Sequence, residues 1–193
     1  MLMLGIDPGL QATGWGLVSL TGSRLCHHQH GIIRSTAKQP DTQRLANIAE
    51  RLSELIQTHQ PDKAIIEEIF VVQNPKSALR LGMARGVAIM ACGAADLALL
   101  EISARKMKQA ITGTGTADKK QIAQMVSRLL NISAPPSDAA DALGLAIAGL
   151  QGATLFPSKA QGYENSISNN NPDPETASPL AAAIQAALAK EKS

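Results

Sequence analysis

The hydrophobic period of this chain changes once, near residue 40, and that change restricts the fold more than any other feature. Up to Arg34 the apolar residues come in short β-type runs. Met1 to Ile6 ends on Asp7, Thr13 to Leu20 follows a Pro8-Gly9 turn, and Arg24 to Arg34 follows Thr21-Gly22-Ser23. Three consecutive strands joined by tight turns predict an antiparallel meander. Beyond it, Leu45, Ile48, Leu52, Leu55 and Ile56 recur at helical spacing behind Asp41 or Thr42 as N-cap, and Pro61 stops the helix. Ala64 to Ile66 reads as a short buried strand running into Glu67-Glu68. A long helix from Pro75 to Ala95, a strand from Leu97 to Ile102 and a short helix from Ala104 to Ile111 come next. A helix marked by Ile122, Met125, Val126, Leu129 and Leu130 follows, then one from Ser137 to about Leu150. The order β-β-β-α-β-α-β-α-α-α predicts an α/β fold, a mixed five-stranded sheet with helices packed on it.

At 193 residues the chain has room for one domain, expected over residues 1–152. Residues 153–193 contain Asn169-Asn170-Asn171 and Pro172-Asp173-Pro174 with little to bury, and read as a mobile low-complexity tail. Trp15 and Phe70 are the only aromatics before residue 156, so the core must be aliphatic. Cys26 and Cys92 are too few for a disulfide framework and suit a reducing compartment. The opening run lacks a basic flank, and the longest apolar stretch, Gly86 to Leu100, contains Asp96. A soluble cytoplasmic protein with no membrane partner is expected.

Net charge is only +2, but its distribution is uneven. From Gln73 to Arg128 there are nine bases and three acids, a local excess of six positive charges. A basic middle in a near-neutral chain suits a face that binds a polyanion.

Four carboxylates stand at positions where an acid calls for a partner. Asp7 and one of Glu67 or Glu68 end the two most apolar strands, and an unpartnered acid there is costly. Strand alternation puts Glu67 and Glu68 on opposite faces, so only one shares a site with Asp7, and the residues alone do not choose. Asp138 and Asp141 are three apart, on one face of the last helix. Asp138 suits a first helical turn electrostatically. Asp141 lies among alanines and leucine, with no Lys or Arg within a turn on either side. A divalent cation would resolve that imbalance. Hard oxygen donors without Cys or His select Mg²⁺ or Mn²⁺. Two such ions about 3.5–4 Å apart hydrolyse phosphodiesters by activating water and stabilising the leaving oxygen.

Gly5-Ile6-Asp7-Pro8-Gly9, Thr13-Gly14-Trp15-Gly16, Ile66-Glu67, Leu81-Gly82-Met83-Ala84-Arg85-Gly86 and Asp138-Ala139-Ala140-Asp141-Ala142 occur in an order that resembles the RuvC family. The similarity runs over about residues 3–150. The opening motif alone is shared with related nucleases and actin-like ATPases; five motifs in register are specific. The resemblance implies a ribonuclease H-like fold and a crossover junction endodeoxyribonuclease that resolves Holliday junctions. It implies a homodimer making paired symmetric nicks in strands of like polarity, in recombination and repair, alongside a branch-migration helicase complex. It assigns Asp7, Glu67, Asp138 and Asp141 as catalytic metal ligands, selecting Glu67 over Glu68, with Mg²⁺ (two per subunit, Mn²⁺ able to substitute) as cofactor.

The resemblance also implies DNA contacts. Phe70 stands at a junction-contacting aromatic position, where a ring can stack on an unpaired base. Lys108 and Lys119 match phosphate-contacting lysines, with Lys120 beside them; Arg80 and Arg85 are candidates for backbone contacts. Ala78, Gly82, Gly86 and Gly93 fall near one face of the long helix. Each helical glycine costs close to 1 kcal/mol, which predicts close approach either to the sheet or to a two-fold partner helix. Cys26, His28 and His30 share a strand face by alternation, but without a fourth ligand they read as ordinary strand residues rather than a metal site. Gly113-Thr114-Gly115 reads as a flexible turn beside the DNA face.

Overall fold

The computed structural model describes residues 1–68 and 74–155. The elements follow the predicted order: β1 (Leu2–Asp7), β2 (Ala12–Thr21), β3 (Arg24–Arg34), α1 (Asp41–His59), β4 (Lys63–Glu67), α2 (Pro75–Ala94), β5 (Leu99–Ile102), α3 (Ala104–Thr112), α4 (Lys119–Leu130) and α5 (Ser137–Leu155). The five strands form one mixed sheet ordered β3-β2-β1-β4-β5. β1–β2 and β2–β3 are antiparallel, whereas β1–β4 and β4–β5 are parallel. β1 is therefore the central strand, with β2 on one side and β4 on the other.

Helices cover both faces, and pleat alternation sorts the side chains between them. Met3, Val18 and Ile65 bury themselves with residues of α3, α4 and α5. Leu4, Ile6, Leu17, Ala64 and Ile66 point the other way, into a core shared with α1 and α2. α5 is the most enclosed helix, with Ala142 to Leu150 buried without a break. It is apolar all round, as a central helix must be.

Strand glycines let α5 lie on the sheet. A Cβ on Gly5 would run into the carbonyl oxygen of Ala142, and one on Gly14 into that of Asp138. One on Gly16 would meet Leu143. The helix backbone of α5 thus sits directly over β1 and β2, closer than side chains would permit.

Several boundaries differ from expectation. α1 begins with Asp41 as its first residue behind Pro40, because the Asp41 carboxylate pairs with Arg44 at 3.0 Å instead of capping the helix. β5 starts at Leu99, since Ala95 to Leu97 close α2 through backbone bonds to Cys92 and Gly93. α5 continues to Leu155, past the expected helix end near Leu150. Of the expected tail, residues 153–193, residues 156–193 lie outside the described residues.

A register shift in β3 corrects another expectation. β2 and β3 slip by one residue between Leu17 and Val18, so strict alternation fails near His28. His27 then meets His30, ring nitrogens 2.9 Å apart, while His28 bonds Ser19 at 2.8 Å. The trio Cys26, His28 and His30 does not converge. Burial, with His30 and His28 nearby, holds His27 below the ordinary imidazole value.

Candidate active site

Asp7 ends the central strand, and Ile6 pairs with Ile66 in the parallel register, which sets Asp7 and Glu67 side by side one step further on. Alternation from Met3 through Gly5 directs Asp7 toward α5, and alternation from Ile65 directs Glu67 the same way. Glu68 follows Ile66, whose side chain belongs to the opposite core. The strand pleat therefore supplies the physical reason for Glu67 over Glu68.

The other two carboxylates arrive on α5. Asp7 is paired with Gly14 across β1–β2, and the Asp138 carbonyl rests against Gly14. One turn further along, Ala142 rests on Gly5. The first turn of α5 is thereby fixed above the end of β1, bringing Asp138 and Asp141 to Asp7 and Glu67. The loop after Asp7 is stapled by buried Thr13, whose hydroxyl donates to the Gly9 carbonyl at 2.9 Å and accepts from the Gly9 N–H at 3.3 Å. Thr13 was legible only as part of a glycine-rich motif; its burial is a tertiary property.

The electrostatics report the convergence. Asp7 is pushed up from 3.8 to about 7, first by burial, then by the neighbouring charges of Asp141, Glu67 and Asp138, with Lys119 opposing. Glu67 is also raised, by burial and by Asp141, against Lys108 and Lys119. Asp7 thus feels all three other acids, and Glu67 feels Asp141. Such mutual perturbation among converging carboxylates marks a candidate functional site.

Lys119 is the cation that reading along α5 could not find. It is the first residue of α4, held by a capping box between Asp118 and Gln121, and its Nζ lies 3.2 Å from Asp141 Oδ2. Asp141, followed by Asp7 and Asp138, raises the Lys119 pKa. The partner missing within one helical turn comes from another helix, 22 residues earlier.

The remaining predicted residues divide. Lys108 of α3 is half-buried and acts on Glu67, so it borders the same cluster. Lys120 is exposed beside Lys119. Arg80 lies 3.9 Å from Asp41 and is half-exposed. Arg85 is engaged within the protein, with Glu101 and with the Glu67 carbonyl. Phe70 lies outside the described residues. Gly113 is the left-handed C-cap of α3, φ 77°, beside a Thr112–Thr114 hydrogen bond, which makes that segment a built turn.

The four carboxylates form an all-oxygen donor set, which suits a hard divalent cation, and the repulsion that lifts Asp7 is what a cation would relieve. Among the described residues no three His, Cys, Asp or Glu side chains stand close enough to enclose an ion as placed, with Asp141 turned toward Lys119.

A sequence model of the crossover junction endodeoxyribonuclease RuvC matches residues 3–149. The chain belongs to the RuvC family. It is 49% identical over 148 residues to the RuvC of Burkholderia vietnamiensis, covering 76% of this chain and 82% of that protein. It is 47% identical over 153 residues to the Burkholderia cenocepacia RuvC, covering 79% and 84%. Thermus thermophilus RuvC, solved in complex with Holliday junction substrate, superimposes with a TM-score of 0.74 at 26% identity, covering 81% of this chain and 97% of that one. The yeast mitochondrial Holliday junction resolvase Ydc2 shares the fold, at a TM-score of 0.58 and 15% identity over 77% of each chain. The fold is the ribonuclease H-like one of the RuvC structures.

Proposed function

We propose that this RuvC-family chain resolves Holliday junctions, as a homodimeric, Mg²⁺-dependent endonuclease that nicks two strands of like polarity in recombination and repair. The observation that carries the reading is the convergence of Asp7, Glu67, Asp138 and Asp141 at the end of the central strand, with Lys119 and Lys108 at its rim. The acids would hold two Mg²⁺ ions, or Mn²⁺ in their place; the bound ions supply water activation and charge neutralisation at the scissile phosphate. Asp7 and Asp141 are the principal ligands in this reading, with Glu67 and Asp138 completing the shell and orienting the water. Lys119 offers its ammonium to negative charge developing on the phosphate. Lys108, Lys120 and Arg80 carry the backbone of the junction on the basic side, and Phe70 takes an unpaired base.

The homodimer is supported by α2. Leu79 and Met90 are 65% and 57% exposed on this helix, and a Cβ added at Gly82, Gly86 or Gly93 would meet nothing within 4 Å. These helical glycines face open space rather than their own sheet, which leaves room for the close approach of a second copy. An exposed apolar and small-residue stripe of this kind marks an association surface. No helix among the described residues is long and apolar enough to cross a membrane; a cytoplasmic enzyme working with a branch-migration helicase complex completes the reading.

The test is nicking of a synthetic mobile four-way junction with Mg²⁺ and with chelator. The wild-type chain cuts only with metal. Asp7→Asn and Glu67→Gln retain junction binding and lose at least about 100-fold in rate, whereas Glu68→Gln stays within a few-fold. Cutting by Asp7→Asn at the wild-type rate refutes the role.

A further inference from the structure

Among the charged groups bordering the carboxylate cluster, Arg85 reaches the backbone of one of its acids. Its side chain is only 16% exposed, on α2 beside the exposed Gly86. Nε donates to the main-chain carbonyl of Glu67 at 3.4 Å, and a terminal nitrogen pairs with the Glu101 carboxylate at 2.5 Å. Glu101 lies on β5 beside Ile66, one residue before the strand partner of Glu67. The three groups form a clamp: β5 fixes the guanidinium, and the guanidinium fixes the last carbonyl of β4.

That carbonyl is a consequential place for a donor. Glu67 ends β4, and in the parallel ladder its neighbour Glu68 donates from its N–H to Ile102 at 2.9 Å. β4 ends at Glu67, and residues 69–73 lie outside the described residues. A small rotation of the Glu67 peptide would swing its carboxylate away from Asp7 and Asp141. We infer that Arg85 is a positioning residue for the metal-binding carboxylate of Glu67, acting through the Glu67 main chain and held in place by Glu101, rather than a contact to DNA phosphate. The inference rests on the proposed metal-binding role of Glu67. It also gives the Leu81 to Gly86 stretch a second role, because Arg85 adjoins Gly86 on the helix proposed to meet a second subunit. The pairing helix and the catalytic strand then share one fixed point.

The experiment uses the full chain and three variants, Arg85→Ala, Arg85→Lys and Glu101→Gln. Mn²⁺ binding without DNA is followed by the loss of the free-ion electron paramagnetic resonance signal. Junction affinity is measured in chelator across salt concentrations, and single-turnover nicking across Mg²⁺ concentrations. Arg85→Ala is expected to weaken Mn²⁺ binding and raise the Mg²⁺ midpoint by about 10–100-fold, the range for groups that orient a metal ligand. Junction affinity and its salt slope stay unchanged. Glu101→Gln moves the metal midpoint in the same direction by less, and Arg85→Lys recovers part of the loss by restoring the pair with Glu101. Thermal unfolding of each variant with chelator confirms a folded protein; Glu101→Gln, on a half-exposed side chain, serves if Arg85→Ala is unstable. Metal binding unchanged in Arg85→Ala and Glu101→Gln overturns the inference, as does a loss confined to junction affinity with a shallower salt slope. Absence of wild-type nicking would sink the proposed function instead, while the Mn²⁺ measurement would still decide on Arg85.

Discussion

Replacing Asp7 with Asn should stabilise the metal-free protein while abolishing its chemistry. Asp7 titrates near 7 in the folded chain against an ordinary 3.8, so the folded state holds the proton more tightly than the unfolded one. Between those values the unfolded chain is ionised at this position and the folded chain is not. Stability therefore falls as pH rises through that window, and the full cost is present above pH 7. A displacement of about three units corresponds to a ceiling of about 4 kcal/mol. Asp7 retains some solvent contact and Lys119 lies near, so about 2–4 kcal/mol is the expected gain for Asp7→Asn at pH 8. Asn has the shape of the protonated acid without its ionisation. Glu67 adds a cost of the same sign; the raised Lys119 pKa contributes stability that is constant below 10.5 and is lost only above it, so it adds no pH dependence within the window. The assay is urea unfolding with chelator at pH 8 and pH 5, both proteins side by side. The stability difference should shrink to about 1–2 kcal/mol at pH 5. Saturating Mg²⁺ should close or reverse it at pH 8, because the wild-type site gains more from the ion. A variant no more stable than wild type at pH 8, or a gain independent of pH, would refute the electrostatic account.

Three further outcomes follow from the same geometry. Lys119→Met removes the cation beside Asp141; nicking should fall by about 100-fold or more and its acidic limb should move to higher pH. Because Lys119 is mostly exposed, denaturation should register about 1 kcal/mol or less. Gly14→Ala drives a methyl into the Asp138 carbonyl, so urea unfolding should show a loss of about 1–3 kcal/mol and nicking should drop with it. Gly86→Ala places a methyl in open space, so the subunit itself should gain about 0.5–1 kcal/mol from helix propensity, whereas sedimentation should show weaker self-association.

Much of the candidate site is legible in the order of residues alone. Asp7 and one of Glu67 or Glu68 end apolar strands, and Asp138 and Asp141 fall one turn apart at the head of an apolar helix, because local periodicity fixes which residues end an element; choosing Glu67 took the family register or the strand pleat. Locally specified boundaries such as the α2 start, supported by the Asn74 cap at Lys76 and Ser77, also lie close to expectation. Failures arise where a distant partner intervenes. Alternation along β3 mispairs the histidines because the bulge is a property of two strands together.

The sequence by itself determined the order of elements and the aliphatic core, and it placed Asp7, one of Glu67 or Glu68, Asp138 and Asp141 at element ends, since each is written in short-range spacing. Only the tertiary structure decided that Lys119 answers Asp141, that Arg85 is turned inward to Glu67, and that Gly5 and Gly14 exist to seat α5. Those relations join residues whose separation along the chain bears no relation to their separation in space. Burial and charge act through space, and the chain order does not record which surfaces they join.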